Sequence, residues 1–363
     1  MLQYHGAESH TLANDVVQLA ITVEGGHMAP VSFKLADGRQ VSPYALAPWL
    51  PEEAPDQPPL LRQLRGDFFC FPFGPQTDGP PHGETANAPW TLLEQTDNAL
   101  KLAIDPTDTG GHIEKILSLR QGQTAIYIEH LISGVDGQFN YGNHPILDLS
   151  SLAVKKARLS TSPFIWGSVY PGLFSDPKDG ARGALEPAAS FESLEAVPLA
   201  GGGMADLSRY PFCDGTDDLV MMVNDPDHGP FAWTAAVLDG YVWFSLKKPA
   251  DFPATLFWLS NGGRSAAPWN GRHRLRLGLE EVCSHFSDGV DIARENRLAD
   301  RGIPTVRTFQ PDESTRLPVI QAVAAIPDGF GKVTAISPGE QSVTLHGESS
   351  AEVSIPLDLK FLT

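Results

Sequence analysis

Cysteine is scarce in this chain. Only Cys70, Cys213 and Cys283 occur, far apart and without a CxxC pair, so the sequence supports neither a zinc site nor a disulfide framework. Positive charge is also thin: 26 Lys and Arg stand against 44 Asp and Glu, a formal charge of −18. Such a surface repels polyanions, which argues against nucleic acid and anionic membranes as partners. No stretch approaches the roughly 18 continuous apolar residues of a membrane span. The opening MLQYHGAESHTLAND lacks the basic start and apolar core of a secretory signal. A soluble, cytoplasmic protein is the expectation. Nucleophile and phosphate motifs are missing too: there is no GxSxG, no HExxH, no P-loop and no GxGxxG between a strand and a helix.

What is present reads as β-structure. The 363 residues are 42% hydrophobic and 19% charged, enough to build a core and bury it. The 34 glycines and 31 prolines exceed the roughly 12% of an average composition, with no collagen period and no low-complexity run. Many turns follow, and many turns favour an all-β architecture. Val17, Leu19 and Ile21 alternate with small or polar residues, as do Val31, Phe33 and Leu35 across a Gly25-Gly26 turn. The same period recurs at Ile126, Ile128 and Leu131, and at Leu275, Leu277 and Leu279. Residues 164–216, rich in Pro, Gly and Ala, read as excursions from a sheet. Only 288–300 predicts a helix, with Asp288 as its N-cap. The expected organisation is one antiparallel domain over 1–316 and a β-rich extension over 317–363. The extension's three short strands are too few to stand alone, so they dock on the main domain or on a second copy of the chain.

Three polar clusters interrupt the apolar pattern. The first is LRGDFFCFPFG followed by PPHGETANAPW, which brings Arg65, His82, Glu84, Asn87 and Trp90 into one turn-rich stretch. Its prolines disfavour a regular helix. The second is NYGNHPILDL, where Asn143 and His144 precede an apolar run. The third runs from LFWLSNGGRSAAPWNG to LGLEEV and ends in Glu280-Glu281. Period two sends Glu280 to the face opposite Leu275, Leu277 and Leu279, and Glu281 to theirs. Taken singly, each cluster has an ordinary structural explanation: a histidine before proline, a solvated strand end, a surface arginine worth under about 1 kcal/mol.

Taken in order, the clusters resemble the galactose mutarotase-like superfamily, the aldose 1-epimerases and hexose-6-phosphate 1-epimerases. RGDFFCFPFG with PPHGETANAPW is similar to the run of Arg-Gly, apolar Cys-aromatic-Pro and His-Gly in those enzymes. NHPILDL resembles the strand bearing their second histidine, and LGLEE the late strand bearing their glutamate. The resemblance spans about residues 12–315 and implies a β-supersandwich that binds a monosaccharide and interconverts its anomers without a cofactor. It implies Glu280 as general base and His144 as general acid, with Arg65 and His82 positioning the substrate. Asn143, beside His144, and Trp269, a candidate for stacking on the sugar with Trp166 and Trp258, complete the expected binding set. A substrate-binding aspartate stays open among Asp214, Asp217 and Asp218, and a one-residue slip would exchange Glu280 for Glu281. Where phosphosugar epimerases carry an arginine after His-Gly, this chain has Glu84, which would repel a phosphate; a neutral sugar is expected. The competing expectation is a non-catalytic carbohydrate-binding or sensor protein on the same scaffold. Monomer and homodimer are both compatible with the sequence.

Overall fold

Alternation along the chain is realised as strands with one buried face. In His112–Leu119, Ile113, Lys115, Leu117 and Leu119 are buried while the residues between them are half-exposed. Burying each such Leu or Ile contributes roughly 1.5–3 kcal/mol. A computed structural model describes residues 2–363, and within it antiparallel strands form two large sheets. The nine-stranded sheet runs Arg209–Tyr210, Ala157–Thr161, Ala232–Val237, Tyr241–Lys247, Ser314–Ala325, Ala125–Ser133, His112–Leu119, Ala99–Ile104, Thr91–Gln95. The eight-stranded sheet centres on Thr216–Asn224, Ala254–Asn261 and Arg276–Cys283. A five-stranded sheet over residues 2–41 closes one side. One apolar cluster joins all three, with Leu19 and Phe33, Leu117 and Val319, and Phe257 and Leu277 among its members. No helix among the described residues is long and apolar enough to cross a membrane.

Each large sheet is also covered on its outer face. Met221, Leu256 and Val282 of the eight-stranded sheet pack against Trp49, Leu64 and Phe286 from the loops and Leu60 from the short helix Pro59–Arg62. This explains why every residue of Thr216–Asn224 and Arg276–Cys283 is buried. Tyr127, Trp233, Phe244 and Ile320 of the nine-stranded sheet pack against Ile336, Val343, Leu345 and Leu357. Those last four come from a small sheet of Val333–Pro338, Ser342–Gly347 and Glu352–Pro356 and the segment after it.

Two sequence expectations need correction. The division after residue 316 falls inside Ser314–Ala325, which lies in the middle of the nine-stranded sheet, bonded to Ala125–Ser133 and Tyr241–Lys247. From Leu317 to Ala324 this strand is buried at every position, so its near-continuous apolar run belongs to a strand covered on both faces. The expected helix over 288–300 is only Val290–Arg294, with a short 3₁₀ turn at Ala299–Arg301. Asp288 does not cap it. Its carboxylate is taken by His285 Nδ1, 2.7 Å away, and by the Tyr170 hydroxyl.

The sandwich interior holds a charged pair. Lys247 and Glu281 form an ion pair with both side chains wholly excluded from solvent. Thr255 donates to Glu281 Oε2 at 2.8 Å and Ser245 donates to Oε1; Lys247 Nζ donates to Thr255 at 2.7 Å and Thr234 at 3.1 Å. Burial lowers the Lys247 pKa, and the Glu281 charge opposes that shift. Glu281→Gln leaves the ammonium without its counter-charge and is expected to cost about 3–5 kcal/mol. Lys247→Met combined with Glu281→Leu should recover most of that loss in urea unfolding. A single variant as stable as the parent would show that the pair is not needed.

The docked C-terminal sheet generates a second expectation. A chain ending at Ala325 uncovers Tyr127, Trp233, Phe244 and Ile320, and should self-associate on size exclusion and melt at a lower temperature. A chain ending at Arg316 lacks the central strand and should show no cooperative transition. If the Ala325 truncation keeps the parental oligomeric state and melting temperature, the small sheet contributes nothing to stability.

Candidate active site

A cavity of about 260 Å³ opens on the outer face of the eight-stranded sheet, between Trp258, Trp269, His82, His144, Arg264 and Glu280. Its floor follows from strand periodicity. In Arg276–Cys283, Glu280 points outward into the cavity while Leu277, Leu279 and Glu281 point into the sandwich. Gly278 stands between Glu280 and Trp258: a Cβ there would lie 2.7 Å from Glu280 Oε1 and 2.9 Å from Trp258 Cβ. Its missing side chain makes the room in which the carboxyl sits.

Glu280 Oε1 lies 3.3 Å from His144 Nε2, and both side chains are almost fully buried. Burial pushes the Glu280 carboxyl well above the usual carboxylate range, with the Arg264 guanidinium opposing. Burial likewise holds His144 well below the usual imidazole range, reinforced by His82. Both therefore favour their neutral forms, a carboxyl and an imidazole within reach of each other. His144 is stacked on Phe68 with centroids 4.6 Å apart, and its backbone N–H donates to Asp67 Oδ1 at 2.9 Å. Asp67 is held in turn by Gln321 Nε2 at 2.7 Å, Gln321 by the Tyr44 hydroxyl at 2.5 Å, and Tyr44 by Trp243 Nε1 at 3.0 Å. Burial raises Asp67 to about 6. This buried chain ties the His144 backbone to the nine-stranded sheet.

His82 enters from the turn-rich loop. Its ring stands edge-on to His144, with centroids 5.4 Å apart, and burial lowers its pKa to about 4. The Gly74 N–H donates to His82 Nδ1 at 3.2 Å, which leaves the proton on Nε2. The other polar residues of PPHGETANAPW serve the loop itself. Asn87 donates to the carbonyls of Pro81 and Gly83 at 2.8 Å each and accepts from the Leu60 N–H at 3.0 Å. Trp90 is buried and donates to the Thr85 carbonyl at 2.9 Å. Glu84 turns away and accepts from the Thr107 N–H at 2.8 Å and from the Thr107 hydroxyl.

The structure brings Glu280, His144, His82 and Trp269 to one cavity; it does not bring Arg65 or Asn143 there. Arg65 is fully buried, and its guanidinium donates to the backbone carbonyls of Tyr4, His5 and Gln63 at 2.7, 3.0 and 2.9 Å. It bolts the first strand to the loop, and being wholly buried and outside the cavity lining it does not meet a substrate there. Asn143 is the cross-strand partner of Glu281, so it shares that residue's inward face. Its amide meets no partner among the described residues. Glu281 is spent on Lys247. Of the three aspartates, Asp214 is exposed beside Arg274, and Asp218 accepts from the backbone N–H groups of Ala184 and Leu185 at 2.9 and 3.0 Å. Asp217 lies behind the cavity wall. It accepts from Trp258 Nε1 at 2.8 Å, Ser260 at 2.6 Å and Arg264 Nε at 3.1 Å.

Arg264 was not singled out from the sequence. The signal available was the Gly-Gly before it: a Cβ at Gly263 would come within 2.3 Å of the Asp217 nitrogen. Only glycine permits that approach, and the approach delivers the next residue to Asp217. Among the described residues, no group of three or more His, Cys, Asp or Glu side chains is arranged to hold a metal ion.

No protein-family model matches the chain, and no curated protein sequence does. Solved structures do. An aldose epimerase homologue from C. elegans superposes with a TM-score of 0.58 at 11% identity, covering 88% of this chain and 100% of the other. A galactose mutarotase related enzyme from Lactobacillus acidophilus gives 0.56 at 13% identity, with 88% and 99% covered. A galactose mutarotase-like protein from Lactobacillus casei gives 0.55 at 12%, with 87% and 100% covered. Identities this low speak to architecture: the chain has the fold of the galactose mutarotase-like proteins.

Proposed function

We propose that this cavity interconverts the anomers of a monosaccharide. The observation that carries the reading is the Glu280–His144 pair, 3.3 Å apart and facing a cavity walled by Trp258 and Trp269. At about 260 Å³ the cavity lies below the ~300–1,000 Å³ of common ligand pockets, a size for one sugar ring rather than an oligosaccharide. Indole faces and edges suit the apolar faces of such a ring. Glu280 first passes its proton across the 3.3 Å contact to His144, and the carboxylate so formed takes the proton of the anomeric hydroxyl. His144 gives a proton to the ring oxygen as its bond to the anomeric carbon breaks. The open-chain aldehyde rotates, and closure on its other face returns both protons to where they began. The Nε2–H of His82 holds a substrate oxygen throughout. Each proton transfer of this kind contributes roughly 10²- to 10⁴-fold.

The expected pH dependence follows from burial. The pair works with one proton between its two groups, and burial raises Glu280 well above 4.5 while holding His144 well below 6.5. The rate should therefore fall as pH rises through the raised Glu280 value, which removes that proton, and as pH drops through the lowered His144 value, which adds a second. Glu280→Gln should slow exchange of α- and β-glucose or galactose, followed by NMR, by roughly 10²- to 10⁴-fold. Glu281→Gln should act through stability, leaving the folded fraction reactive. The opposite ranking of the two variants would reassign the base. Saturable sugar binding with exchange no faster than in buffer would leave the protein a carbohydrate binder or sensor and end the catalytic reading.

A further inference from the structure

The guanidinium in the cavity wall is built into place and only half used. Asp217, with its side chain 1% exposed, grips Arg264 through Nε alone. Trp258 Nε1 and the Ser260 hydroxyl lock that carboxylate from the other side. The guanidinium carbon lies 4.9 Å from the ring centre of Trp269, 5.1 Å from Phe174 and 5.4 Å from Trp258, an aromatic cage that fixes its plane. Among the described residues, no protein oxygen accepts a hydrogen bond from either Nη of Arg264. All four Nη hydrogens therefore remain for an incoming ligand, and the two that run parallel form a fork that matches the two oxygens of a carboxylate.

We propose that Arg264 determines specificity in this cavity, and that the favoured ligand is a sugar acid: a monosaccharide carrying a carboxylate, bound by the two Nη groups. The inference rests on reading the cavity as a monosaccharide site. The ground for expecting a neutral sugar was Glu84, and its carboxylate is engaged by Thr107 outside the cavity. Among the side chains lining the cavity, Arg264 is the single permanent cation and Glu280 the single carboxyl. Burial favours the neutral form of Glu280, so little negative charge opposes an anion at the Arg264 end. Asp217 offsets part of the cation's charge, yet its hydrogen bonds are directed at Nε and leave the fork open. A neutral hexose would place hydroxyls there, which accept more weakly than a carboxylate.

Calorimetry with D-glucuronate, D-galacturonate, D-glucose and D-galactose tests this on the full chain. The parent should bind a uronate about 10- to 100-fold more tightly than the matching hexose, the size expected for charge-assisted hydrogen bonds. Arg264→Gln should bring that ratio close to one, and Arg264→Lys, which keeps charge but loses the fork, should fall between. Thermal melting confirms that each variant is folded, and the lysine variant serves if the glutamine variant is not. Equal affinities in the parent, or a uronate preference that survives Arg264→Gln, overturns the proposal. Anomer exchange measured on the same samples separates the two readings. Exchange without a uronate preference removes this inference alone; a uronate preference without exchange supports it and removes the catalytic reading. Failure to bind all four sugars overturns both.

Discussion

Two carboxylates adjacent in sequence leave one strand in opposite directions, and the site depends on that divergence. Period-two geometry sends Glu281 into the sandwich, where Lys247, Ser245 and Thr255 absorb its charge. It sends Glu280 outward beside His144, with no ammonium or guanidinium among the described residues in salt-bridge contact. A buried carboxyl without a bonded counter-ion favours its protonated form. The difference between a structural acid and a reactive one is thus the face of the sheet on which it lands.

The surroundings serve to hold these faces in register. Asp67, Gln321, Tyr44 and Trp243 form a buried hydrogen-bonded chain from the His144 backbone across to the nine-stranded sheet. Unpaired, any of these groups would cost about 1–3 kcal/mol; paired, they specify one arrangement of the sandwich. Asn87 and Trp90 do the same for the loop, fastening the His82 turn to its own carbonyls and to the segment that begins at Pro59. Arg65 belongs to this class as well, since its Nε and both Nη groups each donate to a backbone carbonyl. Many polar residues in the interior of this protein hold the backbone, whereas Glu280, His144 and His82 line the cavity.

Strand alternation, turn-rich composition and the order of three polar clusters carried the all-β sandwich in the sequence itself, because side-chain period is a local property of an extended backbone. The same locality separated Glu280 from Glu281. It could not reveal what lies across a sheet. Arg65 and Arg264 look alike in sequence, each near a glycine, yet one is spent on Tyr4, His5 and Gln63 and the other faces the cavity. Asn143 and His144 are neighbours that part to opposite sides. The strand Ser314–Ala325 reads like the start of an extension but is central, since burial on its second face comes from residues after it. Which polar group is satisfied and which is left to meet a ligand is decided by partners distant in the chain, and only the folded arrangement of the sheets supplies them.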